Sequence, residues 1–172
     1  MPGTLGEGTD SAAMVVPPEP CATMSDMAEN RGLVSVGYEG RDADELIKMV
    51  SEQGVRVLVD VRLTPLSRKK GLSKTKLSEA LAAAGIEYVH HRELGNPKDN
   101  RDEFRRGSAT SRDRYRRLLS EPAAAGALNH VSELLDEGVV ALLCFERDHA
   151  QCHRGLVADA LLERSSVSLV HA

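Results

Sequence analysis

Two short runs near the C-terminal end concentrate reactive side chains: Cys144-Phe145-Glu146 and, five residues later, Cys152-His153-Arg154. Between them they carry two thiols, a carboxylate, an imidazole and a guanidinium. Several chemistries follow from these types. A thiol at a helix start beside an arginine has a lowered pKa, which suits Cys152 to sulfur or redox chemistry. Glu146 could act as a general base and His153 as an acid. Arg154, together with the N–H groups that open a helix, could hold an anion. Phosphoryl transfer through a thiol is disfavoured, because neither cysteine is followed by arginine after five residues. A metal could draw on Cys144, Cys152, His153 and either His90 or His91. The gap between the two cysteines is not a recognised zinc spacing, however, so neither metal nor any other cofactor is expected. Each residue also has a plainer role. Cys144 and Cys152 would suit a core as small apolar groups, and His153 could satisfy a backbone carbonyl.

These side chains need elements to position them. The apolar run Val139–Leu143 leads into Cys144, and Leu156, Val157, Ala160 and Leu161 follow with helical spacing. The site thus joins a buried strand to a helix. Further apolar runs at Leu33–Val36, Val55–Val61 and Ile86–His90 read as strands, with a fifth over Val167–Val170. Helical patterns alternate with them. One opens at Arg41 or Asp42, one is capped by Ser73, others cover Tyr115–Leu119 and Pro122–Leu135, and the last is capped by Asp148 with Gln151 in a capping box. This alternation predicts an α/β fold, a single three-layer domain with a mainly parallel, Rossmann-like open sheet. No glycine-rich nucleotide fingerprint is present.

In a parallel sheet all strand carboxyl ends share one edge, where ligands bind. That edge should collect Tyr38 and Glu39, Asp60 and Arg62, His90 and His91, and Cys144 and Glu146, with Ser67 in the loop beyond Arg62. Asp60 would serve as a second possible base, or pair with Arg62. Arg62 would share an anion with Arg154, and Tyr38, His90, Cys144 and Ser67 would complete the ligand contacts. The opposite edge carries mostly turn residues.

Composition narrows the partners. Residues 1–30 hold five acids and no lysine or arginine, leaving 22 basic against 21 acidic residues in the remainder. This tail, rich in proline and glycine, reads as disordered, with Met24 or Met27 as alternative starts, and residues 31–172 as the single domain. Two segments are locally basic. Arg62–Lys76 has six basic residues and no acid, and Lys98–Arg117 has eight against four. Either could contact phosphates or nucleic acid, or be a solvated face. The second, long and polar, is expected to be a mobile flap. Aromatics for base stacking are few, with no Trp, two Phe and three Tyr. An odd three cysteines without a secretory signal point to the cytoplasm, and no apolar run reaches membrane-spanning length. Nothing indicates an oligomeric state.

The pattern resembles the domain of unknown function 488 family. The resemblance rests on Val36-Gly37-Tyr38, on Val59-Asp60-Val61-Arg62 with Pro65 and Ser67, and on Gly85-Ile86-Glu87-Tyr88-Val89-His90 with Leu94-Gly95. The two cysteine runs complete it. Tyr38-Glu39-Gly40 departs from the His-Ser or His-Gly pair of many relatives. The resemblance implies the fold and the place of the site, and no reaction. The expected partner is a small phosphorylated or otherwise anionic ligand, with nucleic acid as the alternative.

Overall fold

A computed structural model describes residues 31–172; the tail read from the sequence, with Cys21, lies outside the described residues. Five strands form one all-parallel sheet in the order β3-β2-β4-β1-β5. They are β1 (Gly32–Gly37), β2 (Val57–Asp60), β3 (Glu87–His90), β4 (Val139–Cys144) and β5 (Ser168–His171). The helices are α1 (Ala43–Glu52), α2 (Lys74–Ala83), α3 (Arg101–Arg105), α4 (Ala109–Leu119), α5 (Pro122–Glu137) and α6 (Arg154–Leu162). This is the single-domain α/β fold expected, with both faces covered.

Strand alternation sorts the core into two layers. Val34, Val36, Leu58, Ala141 and Leu143 point towards α1 and α2. Leu33, Val57, Val59, Val140, Leu142 and Cys144 point the other way, towards α4, α5 and α6. Apolar side chains on both faces are what a doubly covered parallel strand requires. β4 lies between β1 and β2, pairing Val139–Cys144 with Gly32–Gly37 on one side and Val140–Leu143 with Val57–Asp60 on the other. The chain leaves β1 and β2 for the α1/α2 face, and leaves β4 for the α6 face. Neighbouring strands with connections to opposite faces leave a crevice beyond their carboxyl ends.

Helix starts follow the sequence in part. Asp42 caps α1 in a full capping box with Glu45. Asp148 does not cap the last long helix. It caps a 3-10 turn, His149–Gln151, accepting from the Ala150 N–H at 2.9 Å and the Gln151 side chain at 3.1 Å. The long helix begins only at Arg154, with His153 as its N-cap. The extra turn brings Cys152 and His153 back under the end of β4.

The basic segment Lys98–Arg117, expected as a long polar flap, is helical and anchored to the core. It folds into a 3-10 turn, α3 and α4, anchored by two aromatics, Phe104 (1% exposed) and Tyr115 (0%). Their rings meet edge to face at 5.8 Å. Buried Asn100 and Ser111 tie the two helices: Ser111 Oγ donates to Asn100 Oδ1 at 2.8 Å, and Asn100 Nδ2 donates to Asn96 Oδ1 at 2.9 Å. Few anchors suffice, because each buries a large area.

Candidate functional site

The floor of the crevice is built by β4 and the turn before α6. Cys144, Glu146, Cys152 and His153 bring their sulfur, oxygen and nitrogen donors within 4.8 Å of one another. The thiol of Cys144 donates to Glu146 Oε2 at 3.2 Å. His153 Nδ1 stands 3.8 Å from both sulfurs, and its Nε2 is 3.0 Å from the Val61 carbonyl. A carbonyl can only accept, so Nε2 carries the proton and the Nδ1 edge faces the thiols. Both cysteines are buried and free. Burial pushes the Cys152 thiol well up, and neighbouring Cys144 adds to the shift. Burial lowers the His153 pKa, but contacts with Cys152, the Val61 carbonyl and Glu146 outweigh it and the net shift is upward. Glu146 behaves oppositely. Burial raises its pKa, but hydrogen bonds from Arg105, the local backbone and the two thiols bring it down to about 2.

The walls come from the loops after β2 and β3 and from α3. Asp60 is completely buried. It accepts from Arg62 Nε at 2.8 Å, Arg62 Nη2 at 2.5 Å, the Arg62 N–H at 3.0 Å and the Tyr88 hydroxyl at 2.6 Å. Arg62 spends its remaining N–H groups on the Tyr38 hydroxyl and the Leu72 carbonyl, at 3.1 and 3.0 Å. Burial would lower the Arg62 pKa, but Asp60 and Tyr38 hold it charged and raise it. Arg105 reaches across to Glu146 Oε1 at 2.8 Å. A cleft of about 330 Å³ opens between these walls. Arg62, Arg68, Lys69, Arg101 and Arg105 line it, with Glu146 as the only carboxylate among the described lining residues. Asp60 neutralises Arg62 from behind and Glu146 neutralises Arg105. Arg68, Lys69 and Arg101 have no carboxylate partner among the described residues. Lys69 donates instead to the Arg41 carbonyl at 2.9 Å, and Arg101 Nε to the Asn96 carbonyl at 3.1 Å. Leu66 (74% exposed) and Phe145 (40%) stand at the mouth, Phe145 against the edge of Tyr38 at 5.4 Å.

Six residues singled out from the sequence line this cleft: Tyr38, Arg62, Ser67, Cys144, Glu146 and His153. Four others do not. Cys152 lies beneath the floor. Asp60 is enclosed behind the cleft wall, its oxygens occupied by Arg62 and Tyr88. His90 Nε2 turns to the Arg62 carbonyl at 2.8 Å. Arg154 was expected to hold an anion and is instead 1% exposed. Its Nε donates to Ser35 Oγ at 2.8 Å, and its two terminal nitrogens donate to the carbonyls of Glu146 and Arg147. The guanidinium clamps the loop that carries Glu146. A cation in the first turn opposes the helix dipole, and carbonyl oxygens are the compensation found here. Gly37 completes the clamp, because a Cβ there would lie 2.0 Å from the Glu146 carbonyl oxygen.

Arg101, Arg105 and Phe104 were missed. The charge of their segment was visible, but which of its arginines turn inward depends on how α3 docks.

The structure therefore defines an all-parallel α/β protein with a basic cleft at the strand carboxyl ends, floored by a thiol, imidazole and carboxylate cluster. The family model described as Domain of unknown function DUF488 matches residues 42–161, and the chain belongs to that family. Neither curated proteins nor solved structures gave a match. Among the described residues no helix is long and apolar enough to cross a membrane.

Proposed function

We propose that the cleft binds a small phosphorylated or otherwise anionic molecule that also has an apolar or planar part. The observation that carries this reading is the charge balance of the lining. Once Arg62–Asp60 and Arg105–Glu146 are set aside, Arg68, Lys69 and Arg101 remain as cations around an opening of small-molecule size. Concave walls concentrate such a field. Leu63, Leu66, Phe104 and Phe145 offer an apolar surface beside it, which is the mixture usual in small-ligand sites. Glu146, with its pKa near 2, is a poor proton acceptor and is better suited to holding a cation.

Nucleic acid fits less well. Outside the cleft, Lys76, Arg106, Arg114 and Arg116 each pair with a nearby acid, which reduces the charge left for tracking a phosphate backbone.

Calorimetric titration with inorganic phosphate, pyrophosphate and a mononucleotide at low ionic strength tests the reading. Binding of at least one of these is expected, weakened about tenfold or more in Arg101→Gln, as loss of a charge-assisted contact implies. Failure of all three to bind would refute it. So would a short oligonucleotide that binds more tightly than any of them and loses affinity in Arg114→Gln but not in Arg101→Gln.

A further inference from the structure

The donor set on the cleft floor has the composition of a metal centre, and its four donor atoms lie within 4.8 Å of one another. An ion bound tetrahedrally at about 2.3 Å from sulfur and about 2.1 Å from nitrogen holds its donors roughly 3.5–3.8 Å apart. His153 Nδ1 already stands 3.8 Å from each sulfur, and Glu146 Oε2 is 3.2 Å from Cys144 Sγ. The histidine is oriented as a ligand would be. Its Nε2–H is fixed on the Val61 carbonyl, which turns the lone pair of Nδ1 into the cluster, and such an outer hydrogen bond is the usual support of a metal-bound imidazole. Glu146 is supported in the same way, with Oε1 on Arg105 and Oε2 towards the sulfurs. The loop carrying it is held by Arg154 through two main-chain carbonyls. We infer that Cys144, Cys152, His153 and Glu146 bind one borderline-soft divalent ion of the zinc type.

The sequence reading went the other way because it judged the cysteine spacing alone. The 3-10 turn at His149–Gln151 folds that spacing back on itself, and the fourth ligand is Glu146, not His90 or His91. Two thiolates and an imidazole select against calcium and magnesium, which take oxygen donors. Cys144, Glu146 and His153 line the cleft, so an ion has a way in. Thiolates and carboxylate together carry three negative charges. A divalent ion offsets two, and Arg105 stands against Glu146 to meet the remainder. The inference is independent of anion binding in the cleft: an ion could sit here whatever the cleft holds.

The test uses the untagged full-length chain carrying Cys21→Ser, so that Cys144 and Cys152 are its only thiols. The reduced protein is loaded with zinc or cobalt(II), cleared of excess metal, and measured for bound metal and for absorbance. One equivalent of either metal is expected. The cobalt form should show thiolate-to-metal charge transfer and the intense visible bands of tetrahedral geometry. Cys152→Ser should lose at least about tenfold in affinity, and Glu146→Gln should bind more weakly with both thiolate ligands kept. Circular dichroism establishes that each variant is folded. If Cys152→Ser does not fold, protection of the two thiols from alkylation by added zinc, reversed by a chelator, decides the question in the Cys21→Ser chain. Uptake well below one equivalent, cobalt spectra without thiolate bands, or thiols that zinc leaves unprotected would overturn the inference. So would a Cys144–Cys152 disulfide that forms readily in air in the presence of zinc.

Discussion

Replacing Arg154 by alanine removes a buried cation whose three acceptors are all uncharged. Ser35 Oγ is fully enclosed and would lose its donor, which costs roughly 1–3 kcal/mol for an orphaned buried polar group. The carbonyls of Glu146 and Arg147 lie in a loop that water can reach. Each charge-assisted bond there contributes about 1.5–3 kcal/mol at most, and water recovers part of it. Against these losses, the variant no longer has to take a guanidinium out of water. The balance is a destabilisation of about 3 kcal/mol, a large share of the roughly 5–15 kcal/mol that holds a domain together. For a chain of this size that corresponds to a fall in Tm of roughly 6–12 °C. Urea unfolding followed by circular dichroism, with a thermal scan beside it, measures both quantities. Arg154→Lys should recover less than half of the loss, since a point charge cannot serve three acceptors along the guanidinium fork. The reasoning fails if Arg154→Ala lies within about 0.5 kcal/mol of the parent, the range of a surface substitution. It fails equally if added phosphate stabilises the parent but not the variant, because the guanidinium would then be serving an external anion.

Three further outcomes are expected. Asp60→Asn should destabilise by about 3–5 kcal/mol by stranding Arg62, whereas Asp60→Asn combined with Arg62→Met should recover part of that loss; a double variant no better than the single would refute pairing as the cause. Burial, with Asp60 nearby, raises the Tyr88 pKa, and burial, with Cys152 and Cys144 nearby, raises that of Tyr115. A raised folded pKa gives stability that is present below the ordinary tyrosine pKa of about 10 and lost as pH climbs through the folded value. Alkaline titration should therefore show two tyrosines ionising late, together with unfolding, and early ionisation of both in folded protein would contradict this. Hydrogen exchange at Tyr115–Leu119 should be slow, close to that of Val140–Leu143, and rapid exchange there would restore the view of a mobile segment.

The sequence disclosed most where chemistry and burial coincide in a run. β1, β2 and β4 are apolar stretches closed by a turn or a reactive residue, and the two cysteine runs are contiguous enough to be read together. Strand order was not legible, because nothing in Val139–Leu143 says that it enters between two earlier strands. The Asp60–Arg62 pair was among the readings considered, since two residues apart at a strand end leaves few other partners. Arg154 was misjudged for a physical reason: its acceptors are mostly main-chain carbonyls, which leave no mark in a sequence. The Lys98–Arg117 segment misled because two aromatics among many charges carry its packing.

The placement of β4 has a consequence for how the protein comes into being. Without it, β1 pairs only with β5, and β2 only with β3. The two halves share no ladder until residues from beyond the chain's midpoint arrive to join them. β4 also ends in Cys144, so the strand that unites the sheet delivers the first residue of the cleft floor. A ribosome that has released only the first half of this domain can hold neither the sheet nor any part of the floor. Such late, long-range pairing makes for slow folding and leaves unpaired strand edges open in the interval. The joining of the two halves of the sheet and the start of the cleft floor are thus one event.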